Sequence, residues 1–171
     1  MDPSVAIQLI SIILMLLLSA FFSSAETALT TANKIRIQSL AEGGNKRAAR
    51  VMKITADMPK MLSAILVGNN IVNISASAVA TSLAISIGNG GSGLVGVATG
   101  ILTLLVLIFG EITPKTVASK YPEALSMAYA GIIGLLVKLL TPVVIIINAI
   151  SLLFMKLFRI DVSQTNIALS S

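Results

Sequence analysis

Long stretches without a charged residue are the feature that most constrains this chain. Three of them cover residues 5–22, 61–87 and 94–109, and a fourth apolar segment covers 124–158. A helix needs roughly 17–25 residues to cross a bilayer, and these stretches are close to that length. With 56% hydrophobic and 11% charged residues, a soluble fold could not bury this much apolar surface. The sequence therefore predicts an all-α membrane protein.

The apolar stretches divide the chain into elements. Between the first two, residues 34–56 are basic and amphipathic, and Gly43 and Gly44 divide them. This pattern predicts a short helix hairpin on the cytoplasmic membrane surface. We expect one transmembrane ion-transport domain over residues 1–160, followed by a truncated linker at 161–171. The expected membrane spans are about 5–25, 60–87 and 94–112.

The placement of basic residues predicts the topology. Seven of the twelve lie between Lys34 and Lys60, and the positive-inside rule places this segment in the cytoplasm. We expect the chain to be located in the inner (plasma) membrane of the cell. The N-terminus is then outside. A single crossing by the fourth segment would leave Lys156 and Arg159 outside. We therefore expect a kinked juxtamembrane helix at about 122–158 and a cytoplasmic C-terminus, while a four-span topology stays open.

The residue types that are missing narrow the chemistry. The sequence has no cysteine and no histidine, so a metal site in it must use oxygen ligands, which suit hard cations such as Mg²⁺ and Na⁺. Only 4% of residues are aromatic and none is tryptophan, which argues against nucleic acid as a partner. A metalloprotease histidine and paired intramembrane aspartates are also missing, so we expect no enzyme.

Two polar clusters interrupt the first and second spans. Ser23 and Ser24 precede Glu26, and hydroxyls beside a carboxylate suit a hard cation, although a helix end at the interface gives the same pattern. Asn70 and Asn73 share one helical face with Ser77. A polar stripe inside a span faces protein or water rather than lipid. Hydrogen bonding between helices is the alternative explanation.

The third cluster ends the third span and is the sharpest of the three. Glu111 comes just after the uncharged stretch 94–109, and Pro114 cannot donate a hydrogen bond to the carbonyl of Gly110. A freed carbonyl beside a carboxylate is typical of broken-helix cation sites in transporters. In the alternative interpretation, Glu111 only forms a helix-end ion pair with Lys115, four residues on. The three clusters together could surround one small divalent ion from the cytoplasmic side.

These motifs resemble those of a known family. The runs 23–28 and 68–70 and the Gly110–Lys115 motif are similar to the transmembrane domain of the CNNM/CorC family, over residues 5–160. The resemblance implies a homodimer with three membrane helices per subunit, a cytosolic-side hairpin and a juxtamembrane helix. It also implies Mg²⁺ export driven by Na⁺, and a cytosolic CBS-pair domain that this sequence lacks.

The same resemblance implies a set of ligands. Side chains of Ser24, Asn70 and Glu111 would bind the Mg²⁺ substrate, with main-chain oxygen from Gly110 or Ser23. Second-tier candidates, some of which could serve Na⁺, are Asn73, Glu26, Asn33, Ser77 and Lys115.

The function that these expectations favour is sodium-coupled magnesium efflux from a cytoplasm-facing intramembrane site. The first alternative is a magnesium sensor that regulates another transporter and moves no ions itself. The second is a membrane anchor for a soluble domain, which the cost of polar residues inside the spans argues against.

Overall fold

All residues that the structure, a computed structural model, describes are in helices or the short turns between them. These are residues 3–87 and 92–157, so the predicted linker at 161–171 lies outside the described residues. The predicted all-α class is confirmed. The helices are α1 (Pro3–Thr31), α2 (Lys34–Glu42), α3 (Lys46–Thr55), α4 (Met58–Ile87), α5 (Ser92–Leu105), a π-helical segment (Val106–Ile112), α6 (Thr113–Lys120) and α7 (Pro122–Leu157).

Polar residues set the starts of the short helices and of α4. The side chain of Asn33 accepts the backbone N–H of Arg36 at 3.2 Å and caps α2. Asn45 caps α3 in the same way. Asp57 accepts the N–H of Lys60 at 3.1 Å at the start of α4. Such caps satisfy N–H groups that have no partner within the helix. The turn between α2 and α3 needs Gly44, whose φ is 89°.

Helices α1 and α4 run antiparallel along each other and form the centre of the fold. Near one end, Gln8 donates to Ser82 at 3.0 Å, and near the middle Ser19 donates to Asn69 at 3.4 Å. A Cβ on Gly68 would lie 2.8 Å from Cζ of Phe22, so only glycine permits this approach of the helices.

Two separate apolar cores lie along this pair. The smaller core joins α1, α4 and α5, and the larger core joins the other ends of α1 and α4 to α2, α3 and α7. The smaller core contains Ile12, Ala76, Ala80 and Leu102. The larger core contains Phe22, Ala25, Leu29, Ile37, Ala48, Val51, Met61, Ile65, Ala130 and Ile133.

Four helical stretches are long and apolar enough to cross a membrane, and the third passes through α5, the π-helical segment and α6 without a break. The predicted hairpin is present as the packed pair α2 and α3. Its cytoplasmic placement and the count of three crossing helices stay predictions. Helix α7 is one continuous helix with Pro142 inside it, and the predicted kink stays a prediction.

Candidate functional site

Between the two apolar cores lies a layer of polar residues, which we call the polar belt. It consists of Ser19 and Ser23 on α1, Asn69 and Asn73 on α4, and Gly110 in the π-helical segment. Ser19 and Ser23 are each only 1% exposed. Burying polar groups between apolar layers is costly unless each finds a partner. The burial of these polar groups therefore requires a structural or a functional explanation.

Ser19 is the residue that joins the belt together. Its hydroxyl donates to the side-chain oxygen of Asn69 at 3.4 Å. The same oxygen would lie 2.9 Å from a Cβ on Gly110, so the π-helical segment approaches α1 as closely as a glycine allows. Three separated stretches of the sequence thus meet at Ser19.

Two oxygens of the belt are buried without a hydrogen-bond partner, namely Oγ of Ser23 and Oδ1 of Asn73. Because α1 and α4 are antiparallel, Ser23 and Asn73 lie on opposite sides of the Ser19–Asn69 bond. The backbone carbonyl of Ser23 accepts the hydroxyl of Thr27 at 3.1 Å. Buried polar atoms normally have a partner, and an ordered water is the ordinary one for each of these oxygens.

The π-helical segment places Gly110, the first residue of the third cluster, in the polar belt. The N–H of Thr113 bonds to the carbonyl of Ile108, five residues back, as a π turn requires. The sequence predicted a helix broken at Pro114; instead the helix continues and is widened before it. Pro114 lies at the start of α6 within this continuous helix, and because it has no N–H it cannot donate to the carbonyl of Gly110.

Lys115 holds two carboxylates at the end of this segment. Its ammonium lies 3.2 Å from Glu111 and 3.7 Å from Glu26. The pairing of Glu111 with Lys115, which the sequence left as the alternative, is therefore present. All three side chains are about two-fifths exposed, so water screens the pair. Exposed ion pairs contribute about 0–1 kcal/mol, so the contacts of Lys115 are weak.

Ser24 faces a different neighbour. It is buried, and its hydroxyl donates to the hydroxyl of Tyr129 on α7 at 3.3 Å. Both residues line an open cavity of about 340 Å³, together with Thr113 and Pro114 of α6. Ser24 is thus brought near the third cluster from the side of α7.

The remaining predicted residues lie outside this assembly. Asn70 and Ser77 are exposed on α4, and the belt uses the neighbouring Asn69 instead. Asn33 is exposed and caps α2. The structure gives no contact that joins Ser24, Asn70 and Glu111 directly. Within the described residues, three acidic side chains do not cluster, so a cation would need mixed oxygen ligands.

Sequence reasoning missed Ser19, Asn69 and Tyr129 as site residues. Ser19 stood only as a polar break in an apolar stretch. The close approach of Gly110 to it depends on the π turn, which leaves no trace in the hydropathy pattern. A tyrosine in an apolar segment was the available signal for Tyr129, because a buried hydroxyl needs a partner.

Fold and site together define a multi-pass helical membrane domain with a polar layer between its helices. Residues 9–171 match the family described as Cyclin M transmembrane N-terminal domain, and the chain belongs to this CNNM family.

Several relatives support this membership. The UPF0053 inner membrane protein YfjD of Escherichia coli is 38% identical over 154 residues, which are 90% of this chain and 35% of the relative. A UPF0053 protein of Haemophilus influenzae is 39% identical over 163 residues, 95% of this chain and 38% of that protein. The Polyamine export protein of the same species is 29% identical over 164 residues, 90% of this chain and 38% of that protein. The chain thus spans little more than a third of these relatives.

Proposed function

We propose that this chain is the membrane domain of a sodium-coupled magnesium exporter, with Mg²⁺ as the substrate. The site comprises the polar belt and the adjoining carboxylates, Glu26 and Glu111. Mg²⁺ takes about six oxygens near 2.1 Å and often keeps several waters. Side chains and carbonyls from α1, α4 and the π-helical segment are the protein ligands, as the sequence motifs imply.

The observation that carries this proposal is the pair of orphan oxygens in the belt. Ser23 and Asn73 each bury a side-chain oxygen without a partner; the sequence predicted Ser23 as a main-chain ligand and Asn73 as a second-tier candidate. The two oxygens lie on opposite sides of the Ser19–Asn69 bond and therefore cannot pair with each other. Hard cations bind such oxygens, and the absence of histidine and cysteine from the sequence leaves oxygen as the ligand type.

Lys115 gives the site a mechanism for exchange. In the structure its ammonium contacts both Glu26 and Glu111 and offsets one of their two negative charges. An entering Mg²⁺ competes for the same carboxylates, and Lys115 swings away because its pairs are weak and solvated. When the ion leaves, the lysine returns. The carboxylates therefore always have a counter-charge near the membrane.

The two orphan oxygens lie on opposite sides of Ser19, which suits two different ions. We assign Mg²⁺ to the side of Ser23 and the carboxylates, and Na⁺ to the side of Asn73.

Asn70 and Ser77 expose polar groups on a membrane helix, and lipid is a poor environment for an amide. A second copy of the chain in a homodimer, or a water-filled cavity, would cover them.

The test is transport by the purified protein in liposomes that contain a magnesium-sensitive dye. Wild-type protein should move Mg²⁺, and an imposed Na⁺ gradient should accelerate it. Glu111→Gln should lower the rate at least tenfold, and Ser23→Ala should weaken Mg²⁺ binding. Thr116→Val is the matched control, because Thr116 is exposed and its hydroxyl bonds only to the carbonyl of Ile112. Normal transport by Glu111→Gln would refute the site assignment.

Two other functions are distinguished by the same assay. A magnesium sensor would bind Mg²⁺ but give no flux from purified protein alone. A polyamine exporter, which the name of one relative brings into consideration, would move spermidine and give no Mg²⁺ flux. The two carboxylates already hold an ammonium group, which favours this second candidate to a limited degree.

A further inference from the structure

A basic groove lies between α3 and α7, beside the start of α4 and apart from the polar belt. Its volume is about 490 Å³. Four cations line it, from three different helices, against a single carboxylate. The cations are Arg50, Lys53, Lys60 and Lys138, and the carboxylate is that of Asp57.

These cations lack partners that would explain their convergence. In residues 3–87 and 92–157 the ion pairs are those of Lys115, and the four groove cations form none. Asp57 accepts the backbone N–H of Lys60 at 3.1 Å and keeps its negative charge, which can offset only one of the four cations. Like charges brought together repel each other unless an anion lies between them.

Lys138 makes the strongest case for a ligand. It is the only charged residue between Glu123 and Lys156 in the sequence. A lone charge in such an apolar helix needs a counter-charge or contact with headgroups. Lys138 lines the groove together with Lys53 and Lys60. It therefore lies at the same height along the helices as the basic residues of α3 and the start of α4.

The other wall of the groove is apolar and leads to the outer face of α7. Gly131 and Gly134 let α3 come close: Arg50 Nη1 would lie 3.5 Å from a Cβ on Gly131, and Ile54 Cγ2 would lie 3.3 Å from a Cβ on Gly134. Beyond them, Leu135 and Leu139 are 69% and 71% exposed. Cationic groups thus stand above an apolar surface that continues along the helix.

The geometry points to a binding site for an anionic phospholipid in this groove. The headgroup phosphate lies among Arg50, Lys53, Lys60 and Lys138, and an acyl chain lies along Leu135 and Leu139. Basic pockets between membrane helices bind anionic headgroups in this manner. A free phosphate would use the cations but not the exposed leucines, and therefore we commit to a lipid. This inference does not depend on the proposed transport function.

The test compares lipid binding to the purified chain by native mass spectrometry and by thermal unfolding in detergent. Phosphatidylglycerol should bind and raise the Tm, whereas phosphatidylcholine should do neither. Lys53→Gln with Lys138→Gln should weaken phosphatidylglycerol binding about fivefold for each removed cation. Lys138→Arg keeps the positive charge, so this variant should bind phosphatidylglycerol as tightly as the wild type does.

The matched control is Lys46→Gln with Arg47→Gln, which removes the same charge from α3 outside the groove. This variant should keep its affinity for phosphatidylglycerol. Equal losses in the control and groove variants would overturn the proposal in favour of general surface attraction. Equal binding of phosphatidylcholine, or equal protection by inorganic phosphate, would overturn it as well.

Discussion

At the level of single residues, Ser19 and Gly110 mark the closest approach of α1 to the π-helical segment. The distance of 2.9 Å between the Ser19 hydroxyl and a Cβ on Gly110 leaves no room for a methyl group. Gly110→Ala should therefore destabilise the protein by about 1–3 kcal/mol through overpacking. Thermal unfolding in detergent measures this loss.

Gly100 provides the control for that substitution. A Cβ there meets nothing within 4 Å, so Gly100→Ala should leave the Tm unchanged or slightly higher. Ser19→Ala in the Gly110→Ala background should recover part of the loss, because it removes the atom in closest contact. Equal shifts in Tm for the two single glycine variants would show that packing against Ser19 is not the cause.

Lys115 competes with any cation for the two carboxylates that it contacts. Lys115→Gln removes the competitor, and the affinity for Mg²⁺ should rise about two- to fivefold, the value expected for exposed ion pairs. Calorimetric titration of the purified protein measures this. Lys120→Gln removes the same charge from α6, where Lys120 lies over the ring of Tyr121 at 5.6 Å. If both variants gain affinity equally, the effect is a general change in potential and not competition.

The residues of the site could be predicted in part from the sequence. Ser23, Asn73 and Glu111 stood out because polar groups are costly inside a span. The sequence alone could not decide whether Asn69 or Asn70 faces inward. Neighbouring residues on a helix differ by 100° in direction, and only the packing with α1 determines which of them faces the other helices. Whether Asn70 binds an ion remains a prediction.

At the level of elements, the π-helical segment determines where Gly110 and Glu111 point. Pro114 leaves the carbonyl of Gly110 without its usual donor. Pro114→Ala supplies that donor, so the carbonyl would be engaged within the helix and the affinity for Mg²⁺ should fall. Mg²⁺-dependent thermal stabilisation measures the fall. Pro122→Ala, at the first residue of α7, should have no effect on it. Undiminished stabilisation in Pro114→Ala would exclude the Gly110 carbonyl as a ligand.

The long helices follow from apolar runs, and their class was therefore predictable. Helix α1 nevertheless continues to Thr31, past the predicted end of the span at residue 25, because Ala25, Ala28 and Leu29 are buried in the larger core. Tertiary packing extends the helix beyond its apolar stretch. The widened turn before Pro114 could not be predicted, since hydropathy does not distinguish α from π geometry.

At the level of the whole molecule, α7 decides the topology. Its 36 residues make it about 54 Å long, whereas a bilayer core is about 30 Å thick. Its first half packs against α1 and α3. We expect the end of α7 to lie on the same side of the membrane as α3, as the positive-inside rule requires.

Single cysteines can test this, because the natural sequence has none. Ala49→Cys on α3 and Ser163→Cys beyond α7 should react with an impermeant maleimide from the same side of sealed vesicles. Gly90→Cys should react from the opposite side. Labelling of Ala49→Cys and Ser163→Cys from opposite sides would establish that α7 crosses the bilayer and that the chain has four spans.

The two cores on either side of the polar belt have a mechanical consequence. Within the described residues, α1 and α4 contribute buried side chains to both cores. The two cores can therefore tilt relative to each other about the polar belt. This motion breaks the 3.4 Å hydrogen bond between Ser19 and Asn69, while both apolar cores stay packed. In the proposed transport cycle, this tilt would open the path of the ion without unpacking either core.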